Sequence, residues 1–406
     1  MFVNNEFAFD FIDDGLAVAK NNANQIYFLN RSAALVWFAL EESDGTTLHL
    51  KKLISAYWPN TPEVHLEEYL NDILLQWQDL GWIEYDYKGA SYARKLSESP
   101  FHPQPEWVAF NDEHAHNVEL LWSKCISISS IVLKVEIWGN IAINASSKVT
   151  MLSRFLNGLP SIETSESFST LAVFFLDTGV CLMHDDRIVV FPFLVAASPV
   201  FNLTAIQICY PKARNHTVLH AAAVSLSEGS IILPGEGGAG KSTLTAHLVA
   251  MGWSYCGDDI IGLGRTAENS KIEILPFPTS LCLKEGSLSV LGDYYPEIVN
   301  VEPLNYGGKT LRFIPVDRSR LTPDINNWRT PRAVVFPMYS ADSISRIERL
   351  SQWDALSSLL KAGTGVGAGT DFSNFELLLD LIKSVPCFRL RYSSLDNLSE
   401  TLQEFL

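Results

Sequence analysis

The sequence has no basic surplus, no paired cysteines, no long uninterrupted apolar run and no extended polar stretch, and each absence removes a class of protein. Thirty Lys and Arg stand against 46 Asp and Glu, a formal charge of −16. Phosphate contacts along a nucleic acid need a basic stripe, so nucleic acid is excluded as a partner and any polyanion must be gripped locally. The six cysteines, Cys125, Cys181, Cys209, Cys256, Cys282 and Cys387, are scattered with no CxxC pair, which argues against a zinc site or a disulfide framework and for a reducing cytoplasm. The longest apolar run, 188–201, is broken by Pro192 and Pro199 and falls short of the ~20 residues a membrane helix needs. The N-terminal MFVNNEFAFDFIDD carries acids where a secretory signal carries bases, so a cytoplasmic protein without membrane association is expected. A chain of 406 residues holds roughly two to three domains of about 150 residues each, and its mixed composition is that of a folded protein rather than a disordered one.

Residues 1–88 read as short strands followed by helices. Partly alternating runs at 7–12, 16–19 and 25–29 are separated by Asp13-Asp14-Gly15 and the Asn-rich 21–24, which supply turn residues. Ser32 and Thr47 stand as caps for two helices, and Thr61-Pro62-Glu63 opens a third with proline in its tolerated first turn. In that helix Leu66, Leu70, Ile73, Leu74, Trp77 and Leu80 recur at helical period. Gly81 ends it, and 82–87 reads as a closing strand. This is a winged-helix-like plan, yet residues 1–90 hold five bases against 14 acids and would repel a phosphate backbone. A peptide adding to a sheet edge suits such a module better.

The stretch AVAKNNANQIYFLNRSAALVWFALEESDGTTLHLKKLISAYW, followed by HLEEYLNDILLQWQDLGWIEY, resembles the PqqD-type module that recognises peptides in the biosynthesis of ribosomally made, modified peptides. The resemblance covers residues 5–88, with FLN, Leu-Val-Trp and Leu-Gly-Trp-Ile-Glu as its anchors. It implies that a precursor (leader) peptide lies against the strand at 25–29 and the helix at 64–80.

Residues 89–205 say least. A proline-bearing link at 99–105 leads to strand-like runs at 127–137, 171–175 and 187–193, a β-rich lead-in. His114 and His116 sit in a polar stretch with no nearby cysteine ligand and read as solvated loop rather than metal site.

The chemistry lies further on. The apolar residues 231–233 run into Gly235-Glu236-Gly237-Gly238-Ala239-Gly240-Lys241-Ser242-Thr243, followed by a helix through Met251 that Gly252 ends. This is G-x-x-x-x-G-K-[ST] in strand, loop and helix context. Glycines let consecutive backbone N–H groups turn onto phosphates, at a helix N-terminus whose dipole favours anions. Lys241 is placed to reach the β and γ phosphates and Ser242 to hold Mg²⁺. Asp258 and Asp259 follow Lys241 by 17 and 18 residues; paired acids there can hold Mg²⁺ and accept a proton from an attacking hydroxyl. Just upstream, His220 interrupts the apolar 218–223.

A histidine, this loop and an Asp-Asp pair at such intervals resemble the HPr kinase/phosphorylase family, over residues 206–406. The resemblance implies a phosphoenolpyruvate-carboxykinase-like P-loop fold, with His220 the active-site histidine, Lys241 the P-loop lysine, Ser242 and Asp258 on the Mg²⁺ side, and Asp259 the base. Thr243 stands where that family carries an acid, and 277–286 lacks its second signature. The likeness is therefore to kinase-only relatives rather than to the reversible enzyme acting on HPr. Lys284, Lys309 and Arg312 are candidate cations for the transferred phosphoryl group, of which Lys284 is assigned to nucleotide binding and Arg312 to catalysis.

The expected whole is an α/β and α+β multidomain protein: a PqqD-like module at 1–88, a β-rich region at 89–205 and a P-loop kinase domain at 206–406. It would use ATP and Mg²⁺ to phosphorylate a Ser or Thr hydroxyl of a captured precursor peptide, and the family's habit of assembling allows a homo-oligomer. The alternatives are a kinase for free serine or a sugar, and a non-catalytic nucleotide-binding peptide chaperone.

Overall fold

The computed structural model describes residues 2–3, 7–13, 15–20, 26–42, 46–57, 63–86, 91–94, 108–109, 118–139, 147–163, 169–176, 179–191, 194–226, 229–266, 271–306, 309–321, 328–362 and 372–405. The link at 99–105 and the pair His114 and His116 lie outside them. The chain is a mixed α/β, multi-sheet protein that divides into two units, Met1–His102 with Gly369–Phe375, and Pro103–Ala368 with Glu376–Leu406.

In the first unit β1 (Phe2–Val3), β2 (Phe7–Ile12), β3 (Gly15–Lys20) and β4 (Ile26–Leu29) form an antiparallel sheet in chain order, with β4 outermost. Helices α1 (Arg31–Glu42), α2 (Thr47–Tyr57) and α3 (Glu63–Asp79) follow, then a hairpin of β5 (Ile83–Asp86) and β6 (Ser91–Arg94). The alternation of Phe7 and Phe9 with Leu16 and Val18 puts one sheet face into a core around Trp37, Trp77 and Trp82. Those rings meet edge-on, Phe7 to Trp37 at 5.2 Å and Trp37 to Trp77 at 5.3 Å, a favourable geometry for aromatic quadrupoles. The caps differ from those expected at Ser32 and Thr47. Asn30 Oδ1 accepts from Ala33 N at 2.9 Å and Thr46 Oγ1 from His49 N at 3.2 Å, because the capping side chain belongs to the residue still outside the helix. Leu66, Leu70, Ile73, Leu74 and Trp77 are buried as their spacing predicts, but Leu80 is 43 % exposed. The helix has already ended there, in a left-handed Gly81 with Trp82 N bonded back to Trp77 O.

The second unit begins with a six-stranded sheet of order β7-β12-β11-β10-β9-β8. Its members are β7 (Val108–Ala109), β8 (Glu119–Ile128), β9 (Ile131–Gly139), β10 (Ser169–Leu176), β11 (Gly179–His184) and β12 (Arg187–Phe191). The helices α4 (Ser147–Leu156) and α5 (Leu194–Cys209) pack on it. The run at 188–201, broken by two prolines, is thus a strand ending and a helix beginning, with Pro199 inside α5. The expected boundary at 205/206 falls within this helix. Ile126, Leu171, Phe201 and Ile206 share one core with Val218, Ile260, Leu275 and Phe277, so the β-rich region packs with the segment after it instead of leading up to it.

The rest continues through β13 (Ala213–Leu219), β14 (Ala221–Leu226), β15 (Gly229–Pro234), α6 (Lys241–Ala250), β16 (Ser254–Gly257), β17 (Ile261–Thr266), β18 (Ile272–Leu275) and β19 (Leu281–Lys284). Then come α7 (Leu288–Leu291), β20 (Leu304–Tyr306), β21 (Lys309–Ile314), β22 (Thr330–Tyr339), β23 (Arg346–Arg349), α8 (Gln352–Ala362), α9 (Phe372–Ser384), β24 (Cys387–Tyr392) and α10 (Leu398–Gln403). Its main sheet has the order β16-β14-β15-β22-β24-β23, with β15, β22 and β24 mutually parallel. Residues in the middle of β15 and β22 are buried on both faces, as in parallel sheets covered on both sides. The three strands end at one edge, where Pro234, Tyr339 and Tyr392 give way to loops. Ligands of open α/β sheets bind at such carboxyl ends. No described helix is long and apolar enough to cross a membrane.

Candidate active site

The loop 235–240 leaves β15 and returns as the first turn of α6. Gly238 and Gly240 have φ of 105° and 89°, left-handed values that side chains resist. At Gly240 there is also no room: a Cβ would stand 2.2 Å from Tyr392 Oη. That hydroxyl donates to Gly240 O at 3.0 Å, and Tyr339 N donates to Ala239 O at 3.0 Å. The ends of β24 and β22 therefore occupy the loop's carbonyls. The N–H groups of Gly237, Gly238 and Gly240 have no partner among the described residues, an arrangement suited to an anion.

Lys241, 5 % exposed, follows at once. Its Nζ donates to Asp258 Oδ1 at 3.1 Å and also to Asp259 Oδ1. The two acids form the turn between β16 and β17, where Asp259 takes a φ of 64°. His220 breaks the chain between β13 and β14. Its Nδ1 faces Ala362 O at 2.7 Å and its Nε2 lies 3.4 Å from Asp259 Oδ1. Since a carbonyl can only accept, Nδ1 carries a proton. The Nε2 facing a carboxylate then favours the doubly protonated ring.

The charges follow from this packing. Burial disfavours a charged Lys241, but the two carboxylates overcome it and hold the ammonium above its ordinary pKa. Burial likewise opposes ionisation of Asp259, yet the charge of Lys241 and the hydrogen bond from His220 keep it well below the usual carboxylate range. For Asp258, 1 % exposed, burial prevails and its pKa is raised. The hydrogen bond to Asp259 raises that of His220 against the effect of burial.

Asp258 also accepts a hydrogen bond from Ser242 and one from Cys282 N at 3.4 Å. A serine hydroxyl directed at a carboxylate, both beside a phosphate-type loop, is an all-oxygen donor pair. Mg²⁺ is held by one or two such groups together with substrate phosphates and water, so the pair fits that ion. Burial first and then the neighbouring acids push the Cys282 thiol up to about 12.

The turn is held from behind. Thr279 Oγ1 donates to Asp258 O at 3.2 Å, and Ser280 N and Oγ donate to Phe155 O and Arg154 O at the end of α4. Gly158 packs so closely there that a Cβ would lie 2.1 Å from Ser280 N. Gly158→Ala is thus expected to destabilise the protein by about 1–3 kcal/mol. Gly237→Ala, with nothing within 4 Å of its added methyl, should stay within about 0.5 kcal/mol. Equal unfolding midpoints in urea for the two variants would show that the Gly158 contact constrains nothing.

A cavity of about 590 Å³ opens over the loop, lined by Glu236, Gly237, Gly238, Gly240, Lys241, Ser242 and Thr243, with His220, Asp259 and Lys284 among the other walls. Gly235 and Ala239 support the loop without lining it. Thr243 Oγ1 lies 2.7 Å from Ser287 Oγ. Arg312 does not line the cavity: its guanidinium donates to Val301 O and lies 3.7 Å from Glu285, so as it stands it meets no phosphoryl group. Lys309 is exposed and also lies outside the lining. No motif in the sequence marks Tyr294, Tyr339, Tyr392, Leu395 or Asp396, which also line the cavity. They come from distant segments, and nothing in their local pattern marks them.

No protein-family model matches the chain, and no curated protein matches it. Among solved structures it is similar to the Hpr(Ser) kinase/phosphatase from Coxiella burnetii, at 12% identity over 46% of this chain and 92% of that one, with a TM-score of 0.22. A likeness of that grade transfers no residue roles.

Proposed function

We propose that this chain is a kinase that moves the γ-phosphoryl group of ATP to an alcohol, and that the alcohol is a Ser or Thr of a peptide held by the first unit. The observation that carries the phosphotransfer reading is the contact of Lys241, at the start of α6, with both Asp258 and Asp259, one of which also meets His220. Phosphoryl transfer asks the protein mainly for positioning and charge, and these are the groups present.

Without nucleotide Lys241 neutralises the acids. With a triphosphate on the loop, its ammonium turns to the β and γ oxygens and Asp259 loses the cation that keeps its proton affinity low. The acceptor oxygen then forms its bond to the γ phosphorus while the bridging bond to the β-phosphate oxygen breaks. The hydroxyl proton passes to Asp259, and the nucleoside diphosphate leaves. His220, fixed by Ala362 O, aims the carboxylate. Mg²⁺, held by Ser242 and Asp258, would offset the charge of the phosphates.

For the peptide, the support is the surface chemistry of the first unit. Its sheet ends in β4, and α3 exposes Val64 and Leu75 together with Glu68, Asp72 and Asp79. A segment with basic and apolar residues suits such a face, its backbone adding to the strand edge. Tethering of this kind brings the acceptor to an effective concentration in the millimolar range.

The test is the intact mass of a candidate precursor peptide co-expressed with the wild-type chain and with a form lacking residues 1–88. One added phosphate with the full chain only is the expected result. Phosphorylation that survives the deletion would remove peptide capture by the first unit and favour the small-molecule kinase. Nucleotide binding with no phosphorylated product would favour the chaperone.

A further inference from the structure

The walls of the cavity, about 590 Å³ in volume, extend beyond the loop itself. They include His220 and Asp259, where an acceptor would enter, and also Val290, Tyr294, Leu395 and Asp396. Because Lys241 marks the β and γ phosphates, a nucleoside on the same chain of phosphates points away from Asp259. His247 fixes the distance. It lies six residues beyond Lys241 on α6, about 9 Å along the axis, and its buried ring meets Tyr294 edge-on with centroids 5.3 Å apart. That separation suits the reach from a β-phosphate across a ribose to a base.

Tyr294 is built as a platform. His247 braces its ring from the protein side, while 38 % of the residue stays exposed, and Val290 beside it is 49 % exposed. The loop after β24, which follows the bond from Tyr392 Oη to Gly240 O, lines the same cavity. It presents Leu395 and Asp396, and Ser394 Oγ donates to Asp396 Oδ2 at 2.6 Å. Large exposed apolar side chains inside a cleft mark ligand contacts more often than chance surface.

We propose that this part of the cavity is a nucleoside subsite, in which the base stacks on Tyr294 between Val290 and Leu395 and the ribose hydroxyls donate to Asp396. The inference rests on the phosphotransfer reading and deepens it by naming the side chains that take the base and the ribose of the donor. Stacking accepts any base with a π-face, so ATP and GTP should bind within a few-fold of each other.

Calorimetric titration of the full chain with Mg²⁺-ATP and with Mg²⁺-tripolyphosphate tests it, using wild type, Tyr294→Ala and Tyr294→Phe. Wild type should bind ATP more tightly than tripolyphosphate. Tyr294→Ala should weaken ATP about tenfold and leave tripolyphosphate unchanged, while Tyr294→Phe keeps both. Equal binding of the two ligands by wild type, with no effect of Tyr294→Ala, would overturn the subsite and leave the phosphate cradle standing. Equal weakening of both ligands by Tyr294→Ala would make Tyr294 merely structural. Failure of wild type to bind either would overturn the phosphotransfer reading itself.

Discussion

Asp259→Asn is expected to lower the rate of phosphoryl transfer by about 100- to 10,000-fold, the usual contribution of a general base, while nucleotide affinity changes only a few-fold. The substitution isolates the chemistry because it barely disturbs the turn. Asp259 has a φ of 64°, and asparagine tolerates that conformation as well as any residue but glycine. The amide keeps the shape but cannot take up a hydroxyl proton. A second readout lies in His220, whose raised pKa owes most to its hydrogen bond with Asp259. With a neutral partner the imidazole should titrate at lower pH, followed by its NMR shifts. Normal turnover in this variant would remove Asp259 as the base, whatever the imidazole does.

Lys241→Ala should abolish nucleotide use and also cost the empty protein about 3–5 kcal/mol, the price of leaving a buried charge unpaired. Asp258 is 1 % exposed and shares Lys241 with Asp259, so the truncation removes the cation that the two carboxylates share and leaves His220 beside Asp259 alone. The pH dependence separates this from a simple packing loss. In the wild type Asp259 has a depressed pKa, so its stabilisation is present above the unfolded value and is lost as pH falls towards the folded one. In the variant the carboxylates lose the charge that depressed Asp259, and burial and mutual repulsion raise their pKa values. The folded state then binds more protons than the unfolded chain, and stability rises as pH falls through that raised range. Urea midpoints between pH 7 and pH 5 should therefore converge for the two proteins. A deficit that stays constant over that interval would mean that the ion triad does not set the stability of the turn.

Several corrections share one cause. Arg312 looked like a cation available to a phosphate because a sequence shows a charge without its partners; Val301 O and Glu285 already engage it. The run at 188–201, too short for a membrane helix, spans the end of β12 and the start of α5, which carries Pro199 within it. Its burial between the six-stranded sheet and the strands that follow offsets what the proline withholds. Ser32 and Thr47 gave way to Asn30 and Thr46 as caps, a shift of one or two residues that helical periodicity alone does not resolve.

Features whose parts are contiguous along the chain were legible before folding. A tight turn from a strand into a helix needs only glycines in order before the helix start, so the course of 235–242 could be read directly, and the period of α3 marked Leu66, Leu70, Ile73, Leu74 and Trp77 as buried for the same local reason. What surrounds the loop depends on how distant segments pack. Tyr339 and Tyr392 reach it because β22 and β24 run parallel to β15 and end at the same edge. His220 meets Ala362 O, and Gly158 packs on Thr279 and Ser280 behind the turn of Asp258, through chain separations of more than a hundred residues. Parallel pairing and core packing join such segments, and these depend on the shape of whole surfaces rather than on any short pattern, so neither the walls of the cavity nor the shared core across 205/206 could be seen before the chain was folded.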